Sequence, residues 1–179
     1  MERMSYLMLL LNPSTNSFNN GASDFNAPGW EDVVSAMSMG DLDTNAYYLG
    51  LAKYCMDQEA ETQLINMLEQ QGVVLANTNG WRCKSDQFHR LAQLACKEFI
   101  ESKACSECNG RRTNAAGQVC ESCLGTGVKR LSQRAKYRFA NIDKRNWERR
   151  WQERYETLFQ LLCDAESSLL SHLKTQLCE

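Results

Sequence analysis

Cys105, Cys108, Cys120 and Cys123 constrain this chain more than any other feature. They form two C-x2-C pairs separated by eleven residues, in the run CSECNGRRTNAAGQVCESCLGTG. Two residues between cysteines let both thiolates turn toward one point. That geometry suits one zinc ion in a tetrahedron of Zn–S bonds about 2.3 Å long. Gly110, Gly125 and Gly127 follow the pairs and permit the positive φ of tight turns. The intervening loop is polar and carries Gly117, as a hairpin connector does. Four thiolates close the metal shell, so the expected ion is structural and holds the local fold together. A redox C-x-x-C normally occurs once, beside a βαβ pattern, and none is seen here. An iron–sulfur cluster also takes four thiolates. The paired spacing favours zinc, and iron stays open at this point.

Cys55, Cys83, Cys96, Cys163 and Cys178 lie outside the motif. Cys55 and Cys96 fall at or beside apolar stripes and read as small buried hydrophobes. His89 and His172 have no cysteine neighbours and read as ordinary helix residues. Nine cysteines without a secretory pattern point to a reducing compartment. The short apolar run from Tyr6 to Leu11 falls far below the roughly 20 residues a membrane span needs. No membrane association is expected.

Most of the rest reads as helix, and the expected fold class is mostly α. Residues 1–29 contain both prolines among Asn, Ser and Gly, and read as a flexible arm. Residues 30–102 read as an acidic helical body. Helices are expected over 30–39 and 44–56, then from a cap at Asp57 to about Gln71, with Gly72 as the stop. A fourth runs from Ser85 to about Ser102, with an apolar stripe of Phe88, Leu91, Ala92, Ala95 and Phe99. The four-cysteine hairpin unit is inserted at 103–128. Residues 129–179 hold a short helix over 133–140 capped by Ser132, a turn, and a long helix from Lys144 to about Leu177. Trp147, Trp151, Tyr155, Leu158, Leu162, Ala165, Leu169 and Leu173 make its inner stripe, which packs on the body.

The net charge of -2 conceals an asymmetry. Residues 1–102 carry 6 Lys/Arg against 13 Asp/Glu, residues 103–154 carry 13 against 5, and residues 155–179 carry 1 against 4. A basic block between acidic ones points to a polyanion partner. Arg130, Arg134, Lys136, Arg138, Lys144, Arg145, Arg149 and Arg150 fall on a helix, a turn and a second helix. That order fits a helix-turn-helix, whose second helix enters the major groove of DNA at its N-terminal end. A helical wheel points Arg145, Asn146 and Arg149 outward and sets Arg150 and Arg154 nearer the apolar flank. Arginine suits guanine edges and asparagine suits adenine. Four to six phosphate contacts would give a salt slope of about -4 to -5. The competing reading of these cations is a solvated amphipathic face.

No enzyme is expected. The chain has no P-loop, no Rossmann glycine fingerprint, no Gly-x-Ser-x-Gly and no HExxH. The acid pairs Asp41/Asp43 and Glu59/Glu61 read as helix-end or surface charges.

The segments WEDVVSAMSMG, AYYLGLAKYC, CSECNG, CESCLGTG and SQRAKYRF, followed by a Trp-containing long helix, occur in one order. Across roughly residues 30–173 the chain resembles the late-gene antitermination protein Q family of lambda-like bacteriophages. The likeness is densest in CESCLGTG and SQRAKYRF. It implies binding to a double-stranded DNA element at a phage late promoter. It also implies engagement of paused bacterial RNA polymerase holding its sigma factor, with NusA assisting, and read-through of terminators in the host cytoplasm. The family's zinc cysteines carry over to Cys105, Cys108, Cys120 and Cys123, and its DNA-reading unit to about 132–155. The loop between the pairs is shorter here than in the lambda member, and NGR replaces a full Gly-x-Gly. Two other readings stand beside this one. A zinc-stabilised regulator could bind DNA without travelling with polymerase. CESCLGTG also resembles half of a DnaJ-type zinc repeat, although that module needs four repeats and the chain has two.

Overall fold

The computed structural model of the chain describes residues 30–81, 85–101, 105–114, 116–127 and 129–178. The arm expected at 1–29 lies outside the described residues. The helices are α1 (Trp30–Met37), α2 (Thr44–Tyr54), α3 (Gln58–Thr78), α4 (Ser85–Glu101), α5 (Gln133–Phe139), α6 (Lys144–Asn146) and α7 (Gln152–Cys178). A π turn, Trp147–Trp151, joins α6 to α7 and makes one long rod. Among the described residues there is no strand, only an isolated antiparallel bridge between Thr113 and Val119. No helix there is long and apolar enough to cross a membrane.

Local chemistry sets the helix starts. The Asp43 carboxylate accepts from the Asn45 and Ala46 backbone N–H at 3.0 and 3.2 Å and caps α2. Asp57 does the same for α3 through Glu59 and Ala60 at 2.8 and 3.0 Å. Each such cap is worth about 1 kcal/mol. Ser132 accepts from Ala135 N–H at 3.3 Å to begin α5. Asn141 turns the chain with φ of 53°, and Asp143 then accepts from Asn146 N–H at 2.9 Å to begin α6.

The third helix does not stop at Gly72. It continues to Thr78, and Gly72 is buried inside it. The reason is packing. A Cβ on Gly72 would sit 2.6 Å from Cδ1 of Phe88 in α4. Phe88 is fully buried, stacked on Trp81 and edge-on to Trp151, so it has nowhere to retreat. Gly72→Ala should therefore destabilise the protein by about 1–3 kcal/mol through overpacking. Helix propensity alone predicts the opposite, a gain of about 1 kcal/mol. Chemical denaturation reads the sign directly.

The long rod also differs from a plain helix. The Gln152 N–H donates to the carbonyl of Trp147, five residues back. Eight residues of straight α-helix would leave Trp147 and Tyr155 about 80° apart. The wider turn absorbs one residue, and the two rings meet with centroids 5.6 Å apart. Both are fully buried.

Helices α2, α3, α4 and α7 pack as neighbours in a ring, and α1 rides on α7. Their inner faces form one apolar core, including every residue expected in the stripes of α4 and the rod. Ala140, Ile142, Trp147 and Trp151 belong to the same core, so the basic segment is built into the body. The four cysteines form a second, separate buried cluster.

Candidate functional site

Each C-x2-C pair is followed by two residues in left-handed conformation. These are Asn109 and Gly110 (φ 48° and 82°), then Leu124 and Gly125 (φ 53° and 78°). The repeated turn brings both thiols of a pair to one side. The Asn109 N–H donates to the Cys105 carbonyl at 2.7 Å, and the Gly125 N–H to the Cys120 carbonyl at 3.3 Å. Gly127 closes the unit. Its carbonyl accepts from Cys105 N–H at 2.9 Å, and its own N–H donates to Cys123 Sγ at 3.3 Å. A Cβ at Gly127 would lie 2.9 Å from the Gly110 carbonyl oxygen.

The four sulfurs are buried and lie within 4.8 Å of one another. Cys105 and Cys120 are 4.0 Å apart, and Cys108 and Cys123 are 3.8 Å apart. A tetrahedron of 2.3 Å metal–sulfur bonds has edges of about 3.8 Å, so the donor set fits a metal ion and is compatible with one zinc. All four are free cysteines, and these separations far exceed a disulfide bond of about 2.05 Å. The Cys108 backbone N–H, reinforced by that of Glu107, lowers the Cys105 thiol to about 6. Burial pushes its neighbour Cys108 the other way, to about 11, so the first proton leaves the cluster from Cys105.

The unit is fastened to the body by Arg112. Its Nη2 donates to Glu166 Oε2 at 2.5 Å and its Nη1 to Ser167 Oγ at 2.7 Å, both on α7. The other oxygen of Glu166 accepts from Lys53 Nζ at 2.5 Å and from Tyr54 hydroxyl at 2.9 Å, both on α2. Glu166 is only 6% exposed. Burial opposes its ionisation, but Lys53 and Arg112 outweigh burial and hold its carboxyl below the usual value.

The basic residues divide into two groups. Arg130 and Lys136 do not face outward as the sequence suggests. Arg130 donates to Glu98 Oε1 at 2.6 Å and to Glu156 at 2.7 and 2.9 Å, and lies 3.8 Å over the Phe159 ring. Lys136 is 1% exposed, with its Nζ 3.3 Å from Glu98 and 3.6 Å from Glu156. Burial pulls the Lys136 ammonium below its ordinary value, against the pull of Glu98. These two cations neutralise internal carboxylates and are unavailable to a polyanion.

Arg134, Arg138, Arg145, Arg149 and Arg150 are exposed and make no ion pair among the described residues. Lys144 is exposed and weakly paired with Glu148 at 3.7 Å. Asn146 is half-buried. Arg150 departs from the wheel because the π turn widens the spacing after Trp147. Arg154 does lie on the apolar flank, 8% exposed and stacked over Trp81 and Trp151.

The remaining candidates behave as helix residues. His89 meets Glu69 at 2.7 Å, and His172 meets the Ala36 carbonyl at 2.9 Å. Cys96 is buried and Cys55 partly so, whereas the side chains of Cys83 and Cys178 lie outside the described residues. Sequence reasoning missed Glu98 and Glu166, the two buried carboxylates. Each falls beside an apolar stripe residue, Phe99 and Ala165, and that adjacency was the available signal. A scan against protein-family models finds no match for the chain, and a search of curated proteins finds none either.

Proposed function

We propose that the chain is a zinc-braced, DNA-binding transcription antitermination factor of the phage late-gene type. One observation carries the DNA part: five exposed arginines without acidic partners on α5 and on the first turns of the rod. Read as a helix-turn-helix, α5 crosses the phosphate backbone and α6 enters the major groove. Arg145 and Asn146 then lie nearest the base edges, and Arg134, Arg138, Arg149 and Arg150 nearest phosphates. Zinc in the four-cysteine cluster braces this unit. The resemblance in CESCLGTG and SQRAKYRF supports the step from DNA binding to antitermination.

Polymerase contact belongs to the acidic helices. Asp41 and Glu59 are exposed and Glu61 is half-buried. Asp43 is exposed as well, with one carboxylate oxygen capping α2 and the other free of the cap.

In vitro transcription tests the whole reading. Bacterial RNA polymerase with sigma factor, started at a phage late promoter, should read through a downstream terminator when the zinc-loaded protein is present, and NusA should increase the effect. Unchanged termination would refute it. With Arg130 and Lys136 internal, binding to the promoter DNA should show a salt slope of about -4, from four or five phosphate contacts. The arginine face alone would serve a DNA-binding regulator that stays at the promoter equally well. Co-elution with polymerase far downstream separates the two.

A further inference from the structure

Glu98 is the most buried carboxylate described, at 2% exposure, and it sits on α4, away from the exposed arginines. Its partners come from three different elements. Oε1 accepts from Arg130 Nε at 2.6 Å, from the Leu131 backbone N–H at 3.0 Å, and lies 3.3 Å from Lys136 Nζ. Oε2 accepts from the Tyr155 hydroxyl of the rod. Leu131 immediately precedes Ser132, the cap of α5. One side chain thus fixes the backbone that enters α5, the middle of α5, and the rod that continues α6.

Glu156 of the rod also meets Arg130 and Lys136, but its side chain is 40% exposed, and of the two carboxylates Glu98 alone also holds the Leu131 backbone and the Tyr155 hydroxyl. Between α5 and the rod themselves, Lys136 lies 3.6 Å from Glu156 and 4.6 Å from the Tyr155 ring centre, and the Trp147 indole N–H donates to Gln133 Oε1 at 2.8 Å. A seven-residue helix carries little stability of its own. Its direction relative to α6 therefore depends on what anchors it, and that direction decides whether Arg134 and Arg138 reach phosphate while Arg145 reaches the groove.

We infer that Glu98 is the positioning residue of the nucleic-acid face: through Arg130, Leu131 and Lys136 it sets α5 against the rod, without touching DNA. This rests on the DNA-binding reading above, and two separate readouts keep the tests apart. The first is hydrogen exchange in the full-length, zinc-loaded protein. Glu98→Gln keeps size but removes the charge that faces Arg130 and Lys136. Amides of 131–140 should exchange at least tenfold faster in Glu98→Gln, while those of α2 and α3 stay unchanged. Adding Lys136→Met removes one of the two cations then left to Glu156 alone and should restore protection.

The second readout is affinity for promoter duplex at fixed salt. Glu98→Gln should weaken binding tenfold or more, and Glu98→Gln/Lys136→Met should recover most of it. Lys136→Met alone leaves Glu98 bonded to Arg130, Leu131 and Tyr155, so it should weaken binding less than Glu98→Gln does and leave the salt slope unaltered, whereas Arg149→Ala should lower both. The inference is overturned if exchange in Glu98→Gln rises equally in all helices, or if the double variant restores nothing. It is also overturned if Lys136→Met alone lowers the salt slope, which would make Lys136 a phosphate contact. Should Glu98→Gln fail to fold, Lys136→Met alone carries the exchange test: a rise confined to 131–140 with an unaltered salt slope supports the inference, and exchange unchanged there or raised in all helices overturns it. Protection changes at 131–140 without any DNA binding by the parent protein would sink the DNA reading and leave the anchoring of α5 standing.

Discussion

Cys120→Ser will lose stoichiometric metal and melt the segment between Cys105 and Gly127 while the helical body stays folded. The four sulfurs form a buried cluster of their own, distinct from the helical core. Beyond a single antiparallel bridge and a few turns, the described residues of that segment have no regular structure to hold them. Structural zinc contributes about 10–16 kcal/mol of apparent binding free energy in comparable small units. Losing one of four thiolates removes a large part of it. With one zinc per chain, as proposed, elemental analysis should fall to far less than one. Far-ultraviolet circular dichroism should change little, because the helices lie elsewhere. On the proposed DNA-binding reading, affinity for promoter DNA should drop sharply, because Arg130 and Leu131 connect the melted segment to α5. A variant that keeps full metal content, or that unfolds the whole chain, contradicts this separation of the two cores.

Glu166→Ala should cost about 3–5 kcal/mol, the usual penalty for removing one partner of a buried ion pair. The carboxylate faces two cations and a hydroxyl, and Lys53 is itself only 13% exposed at its side chain. Without Glu166, the Lys53 ammonium is left against the Phe99 ring at 4.4 Å with no counter-charge of comparable burial. The pH dependence follows from the sign of the shift. The folded carboxyl sits below its ordinary value, so its stabilisation is fully present above the unfolded pKa of about 4.3. It fades as pH falls through the lower folded value. Denaturant midpoints of parent and variant should therefore be far apart at neutral pH and converge in acid. A gap that stays constant down to the strongly acid range would contradict the ion-pair assignment.

Much of this architecture was legible from residues alone, for physical reasons. The caps at Asp57, Ser132 and Asp143 are local, and local chemistry is readable at short range. The stripes of α4 and the rod follow helical periodicity, which needs no partner to be seen. The two cysteine pairs were legible because metal geometry fixes their spacing. Gly72 was misread because a glycine after an apolar run has two meanings. Only the position of Phe88, on another helix, decides between a stop and a notch. Arg130 and Lys136 were misassigned for a related reason. A basic run looks like a surface until the carboxylates that neutralise part of it are found, and Glu98 is more than thirty residues away. The helical wheel pointed Arg145 and Arg149 outward, where they lie, but set Asn146, which is half-buried, too far out and Arg150 too near the core.

The same widening shifts the register of the whole rod. The π turn between Trp147 and Trp151 lets the chain advance by one residue without changing which side faces the bundle. Counted along the sequence, the tryptophan end and the leucine end of the rod are out of phase by one position. Counted in space, they are in phase. Two chains with the same three-dimensional rod could therefore differ by a single-residue gap at this turn, with every buried side chain preserved on either side. An alignment that forbids such a gap would match the zinc unit and α5 correctly. It would then pair the apolar positions of α7 with polar ones, and a true relative would look unrelated along its longest helix.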